Sequence, residues 1–431
     1  MSRGALAMAL VAGARAWADP PTPASAPDLV RAVEQGRPIL DLRTRYEDVN
    51  QAGLASAAPS LTPRLQLGWE TASFHGFRAL VEFAGDAHLD SGRYNVAIPG
   101  GASLNGRTQF PVINDPAFAT LNRAQLSWTP SKLITLTVGR QRILIDDQRF
   151  VGNSGWRQDE QRFDAVRADL SLGPLKGTYA YVWRVDRIFG GELDWASDSH
   201  LLDVSYQLVP QLKAEGFVYA LDFRNTSPTA LANAALNSSL TTGARVTGAA
   251  TAGPVKLTYD AAWARQHDYR GRTGRFALDY WQADFAATWG IATLRGDYEQ
   301  LDGNGARGFS TPIGTTHAFQ GWADAFASTS GNKTHVDGIR DVNATFILRP
   351  DWKLKFFSHP EALVRYHDFN AELTGAYLAS EWDAQAQAAI TPQLTAAVKF
   401  ARFQRATSVP VGTVAAPASR TKLWFTLEYR L

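Results

Sequence analysis

From Leu40 to the last residue the chain alternates apolar and polar side chains with a period of two, and few folds satisfy that pattern. In Leu40-Asp41-Leu42-Arg43-Thr44-Arg45-Tyr46-Glu47 every odd position is charged and the even ones are mostly apolar. Leu65, Leu67 and Trp69 alternate with Arg64, Gln66 and Glu70. Val255, Leu257, Tyr259, Ala261 and Trp263 alternate with Lys256, Thr258 and Asp260. Many of these runs extend over nine to thirteen residues. Strands of a soluble sandwich are usually nearer five or six. Tilted strands crossing a bilayer need about nine to eleven. No stretch approaches eighteen continuous apolar residues, which excludes a transmembrane helix.

The connections give a count. Short turn-like segments occur near 73–76, 129–132, 173–176, 209–211, 252–254, 290, 350–351 and 391–393. Between them lie longer polar stretches at 48–61, 87–119, 142–162, 187–198, 222–242, 266–277, 300–338, 370–377 and 404–420. Eight short and nine long connections in strict alternation separate eighteen strands, with 352–369 taken as one strand despite Pro360 and 211–222 of mixed facing. The expected fold is all-β, a closed antiparallel transmembrane barrel with short periplasmic turns and long extracellular loops. Closure is required because an open sheet edge in lipid would leave backbone groups unpaired. Leu423, Phe425, Leu427, Tyr429 and Leu431 give the chain an amphipathic last strand, although outer-membrane proteins usually end on an aromatic residue.

Ahead of the barrel, which the alternation places at 39–431, residues 1–18 read as a signal peptide. Arg3 precedes an apolar run from Gly4 to Gly13, and Ala16-Trp17-Ala18 offers a cleavage site. Residues 19–38 read as a proline-rich periplasmic lead-in with one helical possibility, Asp28 to Gln35. Without residues 1–18 the chain holds 41 basic and 41 acidic residues, so a nucleic-acid partner is not expected. The sequence has no cysteine, which removes disulfides, thiolate nucleophiles and cysteine metal sites.

If the apolar face meets lipid, the other face lines a lumen. Parity assigns to it Arg43, Arg45, Glu47, Arg64, Glu70, Arg78, Glu82, Arg123, Arg167, Asp169 and Arg184. It continues with Arg245, Lys256, Asp260, Asp284, Arg295, Asp297, Glu299, Arg365, His367, Lys399 and Glu428. Charges of both signs imply a wet lumen. Only nine of the 43 basic residues are lysine, and the remaining 34 arginines carry planar donor forks suited to carboxylates. Such arginines can grip anionic solutes in passing or simply pair with neighbouring acids.

Gly139-Arg140-Gln141-Arg142, Asp146-Asp147-Gln148-Arg149-Phe150-Val151-Gly152-Asn153 and Gly155-Trp156-Arg157-Gln158 through Ala165 closely resemble the alginate-export porin family. Leu42–Glu47 with Phe74–Phe77, Gly308–Pro312 with His317–Asp324, Tyr366–Phe369 and Glu381–Asp383 resemble further segments of it. The resemblance implies an eighteen-stranded barrel in the bacterial outer membrane. It also implies passage of an anionic polyuronate such as alginate through an arginine-rich constriction, and it leaves room for periplasmic export partners.

Parity puts Arg140 and Arg142 on the lipid face after Val138, so either Gly139 resets the register or the strand has left the hydrocarbon there. The segment 142–162, with Asp146, Asp147, Arg149, Trp156 and Arg157, is expected either to fold into the pore mouth or to stiffen the outer rim. The loop 300–338 is a second candidate plug. No pair of histidines has metal-ligand spacing on a shared face, although His317 and His335 share one loop. Ser358-His359 and His367-Asp368 lack the neighbours of a hydrolase site, and no phosphate-cradling loop or cofactor motif is present. The leading expectation is a porin for anionic saccharides in contact with outer-membrane lipid. A general or small-organic-acid porin is the second, and a barrel enzyme the third.

Overall fold

A computed structural model describes residues 25–431 apart from 91, 98–102, 225–233, 235–236, 272, 328–334, 352 and 355. The proposed signal peptide lies outside the described residues. A short helix, α1 (Leu29–Glu34), is capped by the Asp28 side chain and leads into the sheet. The strands are β1 (Arg37–Gln51), β2 (Ala58–Glu70), β3 (Phe77–Asp86), β4 (Phe118–Ser131), β5 (Ile134–Gln141) and β6 (Arg162–Leu172). Next come β7 (Leu175–Asp186), β8 (Trp195–Val209), β9 (Leu212–Leu221), β10 (Ser239–Ala252), β11 (Val255–His267) and β12 (Ala277–Trp289). They are followed by β13 (Ala292–Leu301), β14 (Ile339–Leu348), the two-residue β15 (Lys353–Leu354) and β16 (Phe357–Asn370). Last are β17 (Tyr377–Ala389), β18 (Leu394–Arg405) and β19 (Arg420–Arg430).

Every crossing strand pairs antiparallel with its sequence neighbours, and β14 pairs directly with β16 past the small β15 ribbon. β19 returns to β1 in register from Asp41↔Arg430 to Gln51↔Arg420, so the sheet closes on itself. Eighteen strands therefore cross, and each has a partner strand on both edges. The segment expected as one strand at 352–369 is interrupted. β16 begins at Phe357, and just inside it His359 adopts φ +50 before Pro360 and the register with β17 slips between Ser358 and Glu361. The first long connection shrinks from 48–61 to 52–57 because β1 and β2 extend further than the alternation suggested.

Alternation sorts the side chains as expected. Leu65, Leu67, Phe83, Phe285, Leu294 and Phe425 are exposed on the outer face. Aromatic pairs sit directly across neighbouring strands there, including Phe77 stacked on Trp128 at 5.6 Å and Tyr366 beside Trp382 at 4.8 Å. These amphipathic rings suit the interfacial girdles of a membrane barrel.

The lumen departs from the wet channel expected. Two hydrophobic clusters fill much of it, one built from Ile143, Ile145, Val151, Phe217, Tyr219, Tyr280, Phe309 and Ile313. The other joins Trp322, Phe326, Phe369, Phe403 and Trp424. The mixed facing of 211–222 has its reason here, since Phe217 and Tyr219 point inward and meet Phe150 at ring distances of 5.1 and 6.0 Å.

The seam and the lipid face give a direct check. Phe425→Arg, in the middle of β19, should cost on the order of 2–4 kcal/mol in denaturant unfolding from lipid. Thr395→Arg, facing the lumen beside Glu428, should cost much less. Equal costs would refute the assigned facing.

Candidate functional site

Two loops enter the barrel, and charges on its inner wall hold them there. The loop 142–161 reaches deepest at Asp146 and Asp147. Lys213, one residue into β9 and close to a short turn, donates to Asp146 at 3.4 Å. Arg245 on β10 donates to Asp147 at 2.8 Å. Higher up, Arg149 pairs with Glu299 of β13 and donates to Thr311 of the second loop at 3.1 Å. Arg157 lies within 3.4 Å of Glu47, 3.6 Å of Asp115 and 3.3 Å of Asp324. Arg43 crosses from β1 to donate to the Gly155 carbonyl at 3.0 Å and to Glu428 at 2.8 Å. Removing one partner of such a buried pair costs about 3–5 kcal/mol, so these contacts fix the loop.

The second loop, 302–338, docks on the first and on the wall. Gly152 N donates to the Ile313 carbonyl at 2.9 Å and Thr315 N to the Gln148 carbonyl at 2.8 Å. Gly314 is needed at this crossing, because a Cβ there would stand 2.1 Å from the Arg149 carbonyl oxygen. Further along, Ala323 N donates to Glu381 at 2.6 Å and Trp322 N to Asp383 at 3.3 Å. Asp146, Gln148, Ser154, Gln320 and Asp324 all take positive φ, which tightens the turns inside the lumen.

Where the loops meet β1, β16 and β18 the electrostatics change. Arg45, Arg365 and Lys399 are deeply buried, and among the described residues none has a carboxylate within ion-pair distance. Indole faces cover them instead. The Arg45 guanidinium lies 3.9 Å from the Trp156 ring centre, and Lys399 Nζ lies 4.1 Å from Trp156 and 3.6 Å from Trp322. Arg365 lies 5.6 Å from Trp322 and donates to Thr345 at 2.9 Å. His317 stacks flat on Trp156 at 4.1 Å, with Nδ1 3.0 Å from Asp324 and Nε2 2.7 Å from Lys399 Nζ. A cation over an indole gains about 2 kcal/mol when desolvated, less than a carboxylate partner gives.

Acidic residues line the stretch of wall that begins two strands from β16. Asp260, Asp284 and Asp297 stand directly opposite one another across β11, β12 and β13. Arg245 and Arg295 pair with them, and Asn343 donates to Asp297 at 3.0 Å. Elsewhere Arg64 and Arg43, opposite each other in register, share Glu428, and Arg64 also holds Asp41 at 2.7 Å. Arg123 clasps Glu82 at 2.6 Å and Arg167 clasps Asp169 at 2.7 Å. Arg78 shares the inward phase of Glu82, and among the described residues its buried Nε has no partner.

Two assignments need correction. Arg184 is put out of phase by a register slip after Val182; it stands half exposed, paired with Asp186 at 2.9 Å and Asp194 at 2.7 Å. Arg140 and Arg142 separate after Gly139, whose φ of +111 breaks the strand geometry. Arg142 turns inward to Glu160, Gln66 and Glu82, whereas Arg140 pairs with Asp164 at 2.8 Å and Asp186 at 2.6 Å near the strand end. Both alternatives at Gly139 therefore occur, one for each arginine. The sequence does not single out Asp115 and Asp324 as lumen residues, since loop placement decides their contacts, whereas Glu381 was legible from the parity of β17. Lys422 was legible from the parity of β19. His317 is occupied by Asp324 and Lys399, leaving no lone pair for a metal. Asp146, Asp203 and Glu215 converge within 4.8 Å, and Lys213 lies 2.7 Å from Glu215 and 3.4 Å from Asp146, so an ammonium already occupies two of the three carboxylates.

An eighteen-stranded closed barrel with an inward charged wall and loops folded into its lumen has the architecture of an outer-membrane porin channel. The sequence pattern for alginate export matches residues 41–298, and the chain belongs to that family. No curated protein matches it by sequence. Among solved structures it is similar to Pseudomonas aeruginosa OccK5 (OpdH), at 15% identity and TM-score 0.66, covering 93% of this chain and 99% of that one. It is similar to Pseudomonas aeruginosa OpdK with vanillate, at 14% identity and TM-score 0.68 with the same coverage. It is also similar to Pseudomonas aeruginosa OccK2 (OpdF) in complex with glucuronate, at 13% identity and TM-score 0.64, again covering 93% and 99%.

Two outcomes follow for the docked loop. Arg149→Ala leaves Glu299 buried without its partner, so single-channel conductance should rise and amide exchange across 143–153 and 311–315 should quicken. Unchanged exchange would show that the pair does not hold the loop. Burial alone would raise the Glu160 carboxyl, but Arg142 and Asn122 more than offset it and hold it down at about 2. A depressed carboxyl stabilises the docked loop above its ordinary value near 4.5, and that contribution is lost as pH falls through about 2. Exchange at 155–161 should therefore rise between pH 4.5 and 2, and less so in Glu160→Gln.

Proposed function

We propose that this porin passes anionic solutes, with uronate-bearing saccharides such as alginate as the cargo class, along a path that runs by Arg45, Arg365 and Lys399. The observation that carries this reading is the trio of buried lumen cations that, among the described residues, have no carboxylate within ion-pair distance. Burying a cation without a counter-charge is expensive, and tryptophan faces offset only part of that cost. A carboxylate arriving beside these groups replaces a weak partner with a strong one. Arg45 and Arg365 add planar forks that match a carboxylate in two bonds.

Asp260, Asp284 and Asp297 line a neighbouring stretch of wall, where Arg245 and Arg295 already pair with the first two. An anion is therefore favoured beside Arg45, Arg365 and Lys399 over that stretch. The neighbouring folds crystallised with vanillate and glucuronate hold carboxylates, and the second of these is a uronate. Vanillate favours a second reading, a porin for small organic acids. The two differ in whether chain length matters to the site.

Bilayer recording separates them. Millimolar oligouronate should block the current, more strongly than the monomer, and the salt-gradient reversal potential should report anion preference. The Arg45→Gln, Arg365→Gln and Lys399→Gln triple variant should lose most of both effects. Cation preference in the parent protein, or block untouched by the triple variant, would remove these residues from the path. Equal block by monomer and oligomer would favour the small-acid reading.

A further inference from the structure

The helix α1 is pinned to the outside of the wall, not to the lumen. Trp69, on the lipid-facing phase of β2 with Leu65 and Leu67, donates its indole N–H to the Val33 carbonyl at 3.0 Å. Ala72 N donates to the Ala32 carbonyl at 2.8 Å, and Ala26 N to the Ser73 carbonyl at 2.8 Å, fastening the helix to the first short turn. Ala32 is buried there against Ala26, Ala72 and Phe74. At about 100° per residue, Leu29, Val33 and Val30 occupy an adjoining arc of about 100°, with Arg31 on the opposite side and Glu34 at the edge beside Val30. Those three apolar side chains are 64%, 49% and 66% exposed, an outlay that nothing in the barrel recovers.

We infer that α1 is an interfacial anchor whose Leu29, Val30 and Val33 lie in the periplasmic leaflet of the outer membrane. The occupant of this face is lipid because the face continues the apolar belt of β2 through Trp69, a residue type that favours the headgroup level. A short amphipathic helix at that depth buries its apolar arc and keeps Arg31 and Glu34 in the headgroup water. The helix thereby sets the height of the short-turn rim beside β1 and β2, next to the seam that closes the barrel.

The absence of native cysteine makes the test single-site. Full-length protein carrying Val30→Cys, Arg31→Cys or Ala306→Cys is labelled with an environment-sensitive fluorophore. It is then reconstituted into phosphatidylethanolamine–phosphatidylglycerol vesicles. The label at 30 should emit to the blue of those at 31 and 306. It should be quenched by lipids carrying a nitroxide high on the acyl chain and resist iodide. Iodide quenching at 30 equal to that at 306 would overturn the inference. So would a label shielded from both quenchers, because a protein segment would then cover the face. Should the Val30→Cys protein fail to insert, Leu29→Cys reads the same arc.

Discussion

A hydrocarbon slab offers no hydrogen bonds, and that one constraint shapes the rest of this molecule. Every strand must pair on both edges, so β19 has to return to β1, and closure at eighteen strands creates an interior wide enough for more than side chains from the wall. The inward half of each strand is then free of lipid but not automatically in water. Here the loops 142–161 and 302–338 take up much of that space. Their charges pair with wall charges, and their apolar residues meet Phe217, Tyr280, Phe369 and Phe403.

This division of roles explains why lumen charges come in both signs. Arg157 with Glu47, Asp115 and Asp324, or Arg149 with Glu299, are docking contacts for loops, and the near neutrality of the chain follows from such pairing. Against that paired background Arg45, Arg365 and Lys399 stand apart, met by indole faces and neutral acceptors. Function in this reading resides in the exceptions to pairing, not in the number of arginines.

The eighteen crossings and the facing of most strands were legible because period two is imposed by geometry and by lipid at once. Leu65, Leu67 and Trp69 against Arg64, Gln66 and Glu70 leave no choice of side. Parity failed where the backbone leaves ideal geometry. Gly139 carries φ +111, the slip after Val182 reverses Arg184, and His359-Pro360 breaks the register just inside β16. The loop contacts were not legible, since what brings Asp324 to Arg157, or Trp322 over Lys399, is chain folding within the lumen, which no local period encodes. Even so, the segment 142–162 had drawn notice by its charge density, and its arginines turn out to be the ones that fasten it.

The central claim is that the lumen is occupied by these two loops in the resting protein. Val151 sits where they cross and is almost completely buried. The rate at which a small thiol reagent modifies Val151→Cys in reconstituted protein tests the claim directly, with the exposed loop position Ala306→Cys as the reference. The account predicts modification limited by loop release, far slower than at 306 and accelerated by Arg149→Ala. Modification at 151 as fast as at 306 in the unaltered background would contradict it.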